Sequence, residues 1–346
     1  TDTRVKHDRP VNRETGIFPP LDYTPAFFDI SMKDVNFAQA IDYFGHYPIV
    51  DMEYKTDLPV SVGVRAWSPM LPGDTKTSLM PGLIIEVSIR NPDDRAHQGT
   101  VAISFPGFEP PNSAKGIHHS RKPTSGDLQG VAISSAEQDG AKQMSYVLAS
   151  LGQDSVRRGG GLGTDGAAWN AVEKKLPATS DQDSGATLAA DFQLQPGQQE
   201  VRRFVLSWHA PQWNAGGAPG AADARVFTHM YAKHYPNALD VAQKLAAQHE
   251  PLLKRVIAWQ EEIYGDEKLP GWLADCLINN LHLITETSIW GQGSGPLATF
   301  GQELGLFGLN ECPRGCPQIE CIPCSFYGNM PIVYFFPEAA LSTLRG

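Results

Sequence analysis

The sequence predicts a β-then-α protein of two domains: an antiparallel β-sandwich over residues 1–221, then an α-helical domain that begins over 222–346. Three observations carry this. Apolar and polar residues alternate through much of the first two-thirds. Gly, Pro and Asp turns separate these runs, with no helical pattern between them. After about residue 222 the apolar spacing changes to that of a helix.

The strands come first. Val60, Val62, Val64 and Ala66 alternate with Ser61, Gly63 and Arg65, as in a half-buried strand. GLIIEVSIRNPDD repeats the pattern through Ile85, Val87 and Ile89, and Asn91-Pro92-Asp93-Asp94 supplies a turn. GTVAISFPG follows with Val101, Ile103 and Phe105, and VRRFVLSWHAP sets Phe204, Leu206 and Trp208 on one face. Residues 111–190 are rich in Gly, Ser, Asp and Ala and read as long loops with some short strands. Within them RRGGGLGTDG, residues 157–166, lacks the Gly-Lys-Ser/Thr ending of a phosphate loop and reads as a flexible surface loop.

The helices follow. Val241, Leu245, Leu252, Val256, Trp259 and Ile263 recur at helical spacing. Pro251 is expected to kink that stretch or start its second half, and Gly265 to end it. A second amphipathic helix begins near Pro270, its turns marked by Trp272, Cys276, Ile278 or Asn279, and Leu283. MPIVYFFPEAALSTLRG starts another. A chain that opens Thr-Asp-Thr and closes on a helix entry is expected to be part of a larger protein or a product of cleavage.

Composition narrows the function. Of 346 residues 41% are hydrophobic and 19% charged, a globular balance. The net charge of −10 argues against nucleic acid and anionic membrane surfaces, which select for basic patches. No apolar run approaches the ~20 residues of a transmembrane helix. The sequence gives no compartment. All five cysteines fall after residue 275, which points to one local role rather than a spread disulfide scaffold.

Several blocks, in order, resemble glycoside hydrolase family 116, the bile-acid β-glucosidase or non-lysosomal glucosylceramidase group. They are GHYPIVDMEY (45–54), VSVGVRAWSPMLPGD (60–74), PGLIIEVSIRNPDD (81–94), VLSWHAP (205–211), LPGWLADCLINNL (269–281) and FYGNMPIVYFFPEAALS (326–342). The resemblance implies a β-sandwich packed on an (α/α)6 barrel, of which this chain would carry the first helices. It implies a retaining β-glycosidase, β-glucosidase-like, acting on a β-linked sugar, with this chain as a part of the enzyme. No cofactor is needed for that hydrolysis. A second chain would complete the barrel and bring the acid/base aspartate.

The stretch FGLNECPRGCPQIECIPCSFYG, residues 307–328, concentrates the chemistry. Glu311 matches the family's nucleophilic glutamate, placed after a Gly-x-Leu stretch and before Phe-Tyr. A retaining enzyme needs one ionised carboxylate to attack and one protonated acid to give up a proton, about 5–5.5 Å apart. Glu320 is the second candidate, as a catalytic or sugar-binding carboxylate. The aspartate that the family places four residues before Phe-Tyr is missing, and no Asp occurs in 307–328. That departure supports a different class: a non-catalytic carbohydrate-binding or assembly subunit that keeps the fold. Cys312, Cys316, Cys321 and Cys324 follow a Cys-x3-Cys-x4-Cys-x2-Cys spacing. Structural zinc or an iron–sulfur cluster, one or two disulfides, and free buried thiols all stay open. Cys276 reads as a small buried apolar residue.

Other residues read blandly. His7, His118 and His119 are expected in solvated loops. His229 and His234, five apart, make a poor metal pair. Trp208, His209 and Trp213 suit packing at the domain junction, with a sugar subsite as the sharper reading. Asp51, Glu53 and Asp57 form the wet face of a strand. Asn279, Asn280 and His282 suit helix-to-helix hydrogen bonds, and Glu338 suits a helix N-terminus.

Overall fold

The computed structural model describes residues 35–107, 119–135, 144–152, 155–215, 225–286, 288–312, 316–319 and 330–345. The side chains of 213–215, 225, 286, 310–312 and 316–319 fall outside that description.

Eleven strands build the first part: β1 (Ala40–His46), β2 (Ile49–Lys55), β3 (Ser61–Trp67), β4 (Gly82–Arg90), β5 (His97–Phe105), β6 (His119–Thr124), β7 (Leu128–Ser135), β8 (Ser145–Leu151), β9 (Arg157–Gly159), β10 (Ala186–Leu194) and β11 (Gln199–His209). Eight form one antiparallel sheet in the order β1-β2-β3-β4-β11-β8-β7-β6. A three-stranded sheet, β5-β10-β9, packs over one face. The first part is thus a large antiparallel β region with a second sheet stacked on it, and helices follow.

Alternation explains the layering. On β4, Ile85, Val87 and Ile89 face the small sheet and meet Leu188, Ala190 and Phe204. The next residue over, Ile84, faces the opposite way, into a second core. There Val205, Val147 and Trp67 meet Val241, Leu245, Leu252 and Val256 of a 27-residue helix, Ala238–Tyr264. Asn237 caps that helix by accepting from the Asp240 N–H at 2.9 Å. Ser207 ties β11 to its first residue, donating to the Ala238 carbonyl at 2.7 Å. Gly82 leaves room for the helix: an added Cβ would lie 2.7 Å from a Leu245 methyl. The helix runs through Pro251 as one element and stops at Gly265, as expected.

Several expectations need correction. The stretch 111–190, expected as mostly loop, supplies β6 to β9 and the start of β10, and Tyr146 to Ala149 are among the most buried residues. Its small residues are packing devices: Gly130 lies against the backbone of Leu148 and Ala149. The glycine-rich 157–166 is not simply a flexible surface loop. It begins as β9, and Gly159, Gly160 and Leu162 are buried. Trp208 keeps the register of Phe204 and Leu206, pairing with Tyr146, but unlike them it is 40% exposed.

The helices also differ in detail. The second spans only Gly271–Asn279, with a separate turn at His282–Glu286. Its buried face is Ala274 and Ile278, with Leu281 just beyond, so Trp272 and Cys276 are exposed. Of the expected turn markers Ile278 is buried, but the bulky Trp272 turns outward, and small Ala274 fits the close approach. The last segment forms two helices, Met330–Phe335 and Pro337–Arg345. Among the described residues no helix is long and apolar enough to cross a membrane.

Candidate functional site

Residues 225–345 hold the Glu311 strand in place. β12 (Gln212–Ala215) and β13 (Arg225–Thr228) form a ribbon that leaves the sandwich. β14 (Ser288–Gly291), β15 (Leu306–Cys312) and β16 (Cys316–Ile319) form a separate antiparallel sheet. The two are joined at His229, which bridges to Gly291. Gln292 strengthens the joint: its N–H donates to the Thr228 carbonyl at 2.8 Å and its Nε2 to the His229 carbonyl at 3.0 Å.

The base of β15 is locked. Phe307 is buried and donates its N–H to the Ser342 hydroxyl at 2.9 Å. Ser342, with no exposed surface, also lies 2.9 Å from the Gly305 carbonyl as donor. Thr343 donates to the Phe307 carbonyl at 3.0 Å, and Trp290 Nε1 to the Leu304 carbonyl at 2.8 Å. Trp290 meets the Phe307 ring edge-to-face at 5.4 Å. Beneath lies a third core, where Phe307 joins Met70, Leu281, Ile332, Phe335 and Phe336. These polar anchors were missed by sequence reasoning. Ser342 offers no local signal, being one hydroxyl in an amphipathic helix.

Toward its far end β15 changes partner. Leu309 pairs with Ser288 of β14, while Asn310 pairs with Ile319 and Cys312 with Cys316 of β16. The register shifts between Asn310 and Cys312: two residues of β16, Pro317 and Gln318, stand opposite Glu311, so the extra residue lies on the partner strand. Such bulges bend a strand and re-aim a side chain, and they recur beside active sites. The Glu311 side chain lies outside the described residues, as do those of Cys312 and Cys316. Glu320, Cys321 and Cys324 lie outside them altogether. The backbone places Cys312 opposite Cys316, and antiparallel partners sit with Cα atoms about 4.5–5.5 Å apart. Among the described residues no group of three or more His, Cys, Asp and Glu gathers as a metal site.

The other sequence candidates are placed as follows. Cys276 is exposed, not buried. The Asn279 carbonyl meets Nδ1 of His282, in the next helical segment, at 2.7 Å, but the Asn279 side chain turns to the sheet. It accepts from the Tyr47 N–H at 3.0 Å and so ties its helix to the β1–β2 turn. Gln260 on the long helix serves the same turn, donating to the His46 and Tyr47 carbonyls at 2.6 and 3.0 Å. Asp51 is less wet than expected: it takes two hydrogen bonds from Arg65 and one contact from His46. These partners outweigh its burial and hold its carboxyl below the usual range. His119 is half-buried in β6.

At the ribbon joint, His229 stacks on Tyr231 at 5.6 Å and His209 meets the same ring edge-on at 5.7 Å. The Tyr231 hydroxyl accepts from the Ala210 N–H at 2.7 Å. Burial pushes the Tyr231 phenol up to about 12 and the His229 imidazole below its ordinary value. His209 is buried here, as junction packing requires.

Solved structures show distant likenesses. A protein from the human microbiome assigned as a kojibiose phosphorylase overlaps 69% of this chain and 23% of its own, at 9% identity and a TM-score of 0.29. A GH36 α-galactosidase from Geobacillus stearothermophilus overlaps 51% and 26%, at 11% and 0.23. An aldose 1-epimerase from Klebsiella pneumoniae overlaps 49% and 53%, at 11% and 0.21. The chain therefore spans only a part of each of these proteins. The family model for "beta-glucosidase 2, glycosyl-hydrolase family 116 N-term" matches residues 23–252, the whole described sandwich and the first half of the long helix that packs on it. By that match, over more than half its length, the chain belongs to glycosyl-hydrolase family 116 as a bearer of its N-terminal domain.

Proposed function

We propose that the chain is part of a retaining β-glycosidase, β-glucosidase-like, in which Glu311 is the nucleophile. The observation that carries this is the position of Glu311. It sits at the register shift of a strand whose base is pinned by Phe307, Ser342 and Trp290, in a chain of a glycosidase family. A nucleophile must be held within about 0.5 Å of its productive position, about 3–3.5 Å from the anomeric carbon, so a rigid base below Glu311 suits the task. The carboxylate attacks the anomeric carbon as the leaving oxygen takes a proton from an acid. Water then releases the sugar from the glycosyl-enzyme. Glu320 is the candidate within this chain for a second carboxylate. The acid/base aspartate and the rest of an (α/α)6 barrel are proposed to come from further helical sequence, in this protein or in a second chain.

The cysteine loop is proposed as a locally closed element beside Glu311. The Cys312–Cys316 backbone pairing supports closure by a disulfide, whose Cα atoms span about 4.4–6.8 Å, and equally by a shared zinc or iron–sulfur cluster. Thiol titration with metal analysis separates the two.

The test of Glu311 uses the chain assembled with its full helical domain. A mechanism-based fluorinated glycoside, followed by peptide mapping, is expected to label Glu311, and Glu311→Gln to abolish labelling. Label on another carboxylate rejects the assignment. Failure of the assembled enzyme to take any label moves the protein to the binding-subunit reading, which the absence of Asp from 307–328 favours.

A further inference from the structure

Ser342, Thr343 and Trp290 anchor the start of β15, between Leu304 and Phe307. The other end, toward Glu311, is reached from the sandwich. Ser288, the first residue of β14, pairs with Leu309, two residues before Glu311. The Ser288 hydroxyl donates to the Ile284 carbonyl and so ties β14 to the helical segment His282–Glu286. That segment is held in its turn by Tyr47.

Tyr47 lies between β1 and β2, where His46 pairs with Ile49. Its polar groups serve the helices. The N–H donates to the Asn279 side chain, and the carbonyl accepts from Gln260. The hydroxyl lies 3.0 Å from that of Thr285. Thr285 gives its one hydroxyl proton to the His282 carbonyl at 3.0 Å, so Tyr47 is the donor of the pair. Burial pushes the Tyr47 phenol above its ordinary value, so it keeps that proton at neutral pH. The ring packs against the third core, as Leu309 does. Held at its backbone by two hydrogen bonds and along its ring by the core, Tyr47 is a stiff strut from the sandwich to Thr285.

We infer that Tyr47, a sandwich residue, positions the Glu311 end of β15 through Thr285 and β14. The inference rests on the reading of Glu311 as nucleophile. The sandwich then belongs to the scaffold of the active site. Tyr47 touches no reacting atom. It limits how far the strand end can move, and a misplacement of about 1 Å there costs up to about a hundredfold in rate.

The test uses the chain with its full helical domain and the fluorinated glycoside. Thr285 is exposed, so replacing it leaves the core packing in place. Tyr47→Phe and Thr285→Val are each expected to lower the maximal labelling rate about tenfold, with the half-saturating concentration unchanged within about twofold. The double variant is expected to be no slower than either single one, because both remove the same link. Thr285→Ser, which keeps the hydroxyl, is expected to restore the parent rate. Amides of β14 and β15 should exchange faster in Tyr47→Phe while those of β4 and β11 do not change. A parent rate in Tyr47→Phe, or losses that add in the double variant, overturns the proposal. So does equal acceleration of β4 and β11, which marks general loosening. Parent label on Glu311 with an unchanged Tyr47→Phe rate sinks this proposal alone. Parent label on another carboxylate sinks the Glu311 reading, and this proposal with it.

Discussion

The two faces of the eight-stranded sheet are covered in opposite ways. On one face a single helix brings Val241, Leu245, Leu252 and Val256 from neighbouring turns. On the other, the cover is assembled from β5, β9 and β10, and β5 pairs with β10 across some ninety residues, His97 with Leu194 and Phe105 with Ala186. Both cores exclude water equally well: Leu245 and Phe204 each have no exposed surface. The difference lies in how the cover is specified. A helix carries its buried face in one local repeat, whereas the sandwich face exists only once distant strands have paired.

Substituting each core in turn sharpens this comparison. Phe204→Ala is expected to cost about 3–5 kcal/mol and Leu245→Ala about 2–5 kcal/mol, read from denaturant unfolding. A cost below about 1 kcal/mol at either site would break the picture of one sheet with two dry faces. Gln260→Leu tests the polar tie by which the long helix holds the β1–β2 turn. It leaves the His46 and Tyr47 carbonyls without their donor, with an expected loss of about 1–3 kcal/mol. Early proteolysis at that turn would accompany it.

The smallest effect is expected with pH. Burial lowers His229, and burial with the neighbouring Lys233 and Lys76 charges lowers His234. The unfolded chain takes up a proton near pH 6.5 while the folded one does not. Stability should therefore be flat above that value and fall as pH drops below it. Asp51 and Asp74 have carboxyls held low by Arg65 and Arg255, so their contributions are lost only below about pH 4. His229→Gln should flatten the upper part of the profile. An unchanged slope would show that the ribbon joint does not hold a neutral imidazole.

Much of the fold was legible in the sequence. The alternation at 60–66 and 81–89 marked real strands, the helical spacing marked the long helix, and Gly265 marked its end. The middle was misjudged because β7 and β8 are buried on both faces and rich in Gly, Ala and Ser. Their close packing asks for small residues rather than an alternating pattern. Cys276 was misread because a nine-residue helix leaves its rotation to whatever it packs against, and Ala274 and Ile278 decided it. Of the candidate site, the sequence marked Glu311 through its neighbours Gly308 and Leu309. The pinning of β15 by Ser342 and Trp290 was not legible.

By itself, then, the amino-acid sequence determined the properties that repeat over a few residues: strand alternation, helix period, cap residues and the blocks that place the chain in its family. Only the tertiary structure decided which strands share a sheet, which face of Gly271–Asn279 is dry, and that one hydroxyl at position 342 anchors the Glu311 strand. The physical reason is range. Backbone preference and periodicity act within a turn or two of chain, while pairing and burial depend on segments brought together from far apart in the sequence.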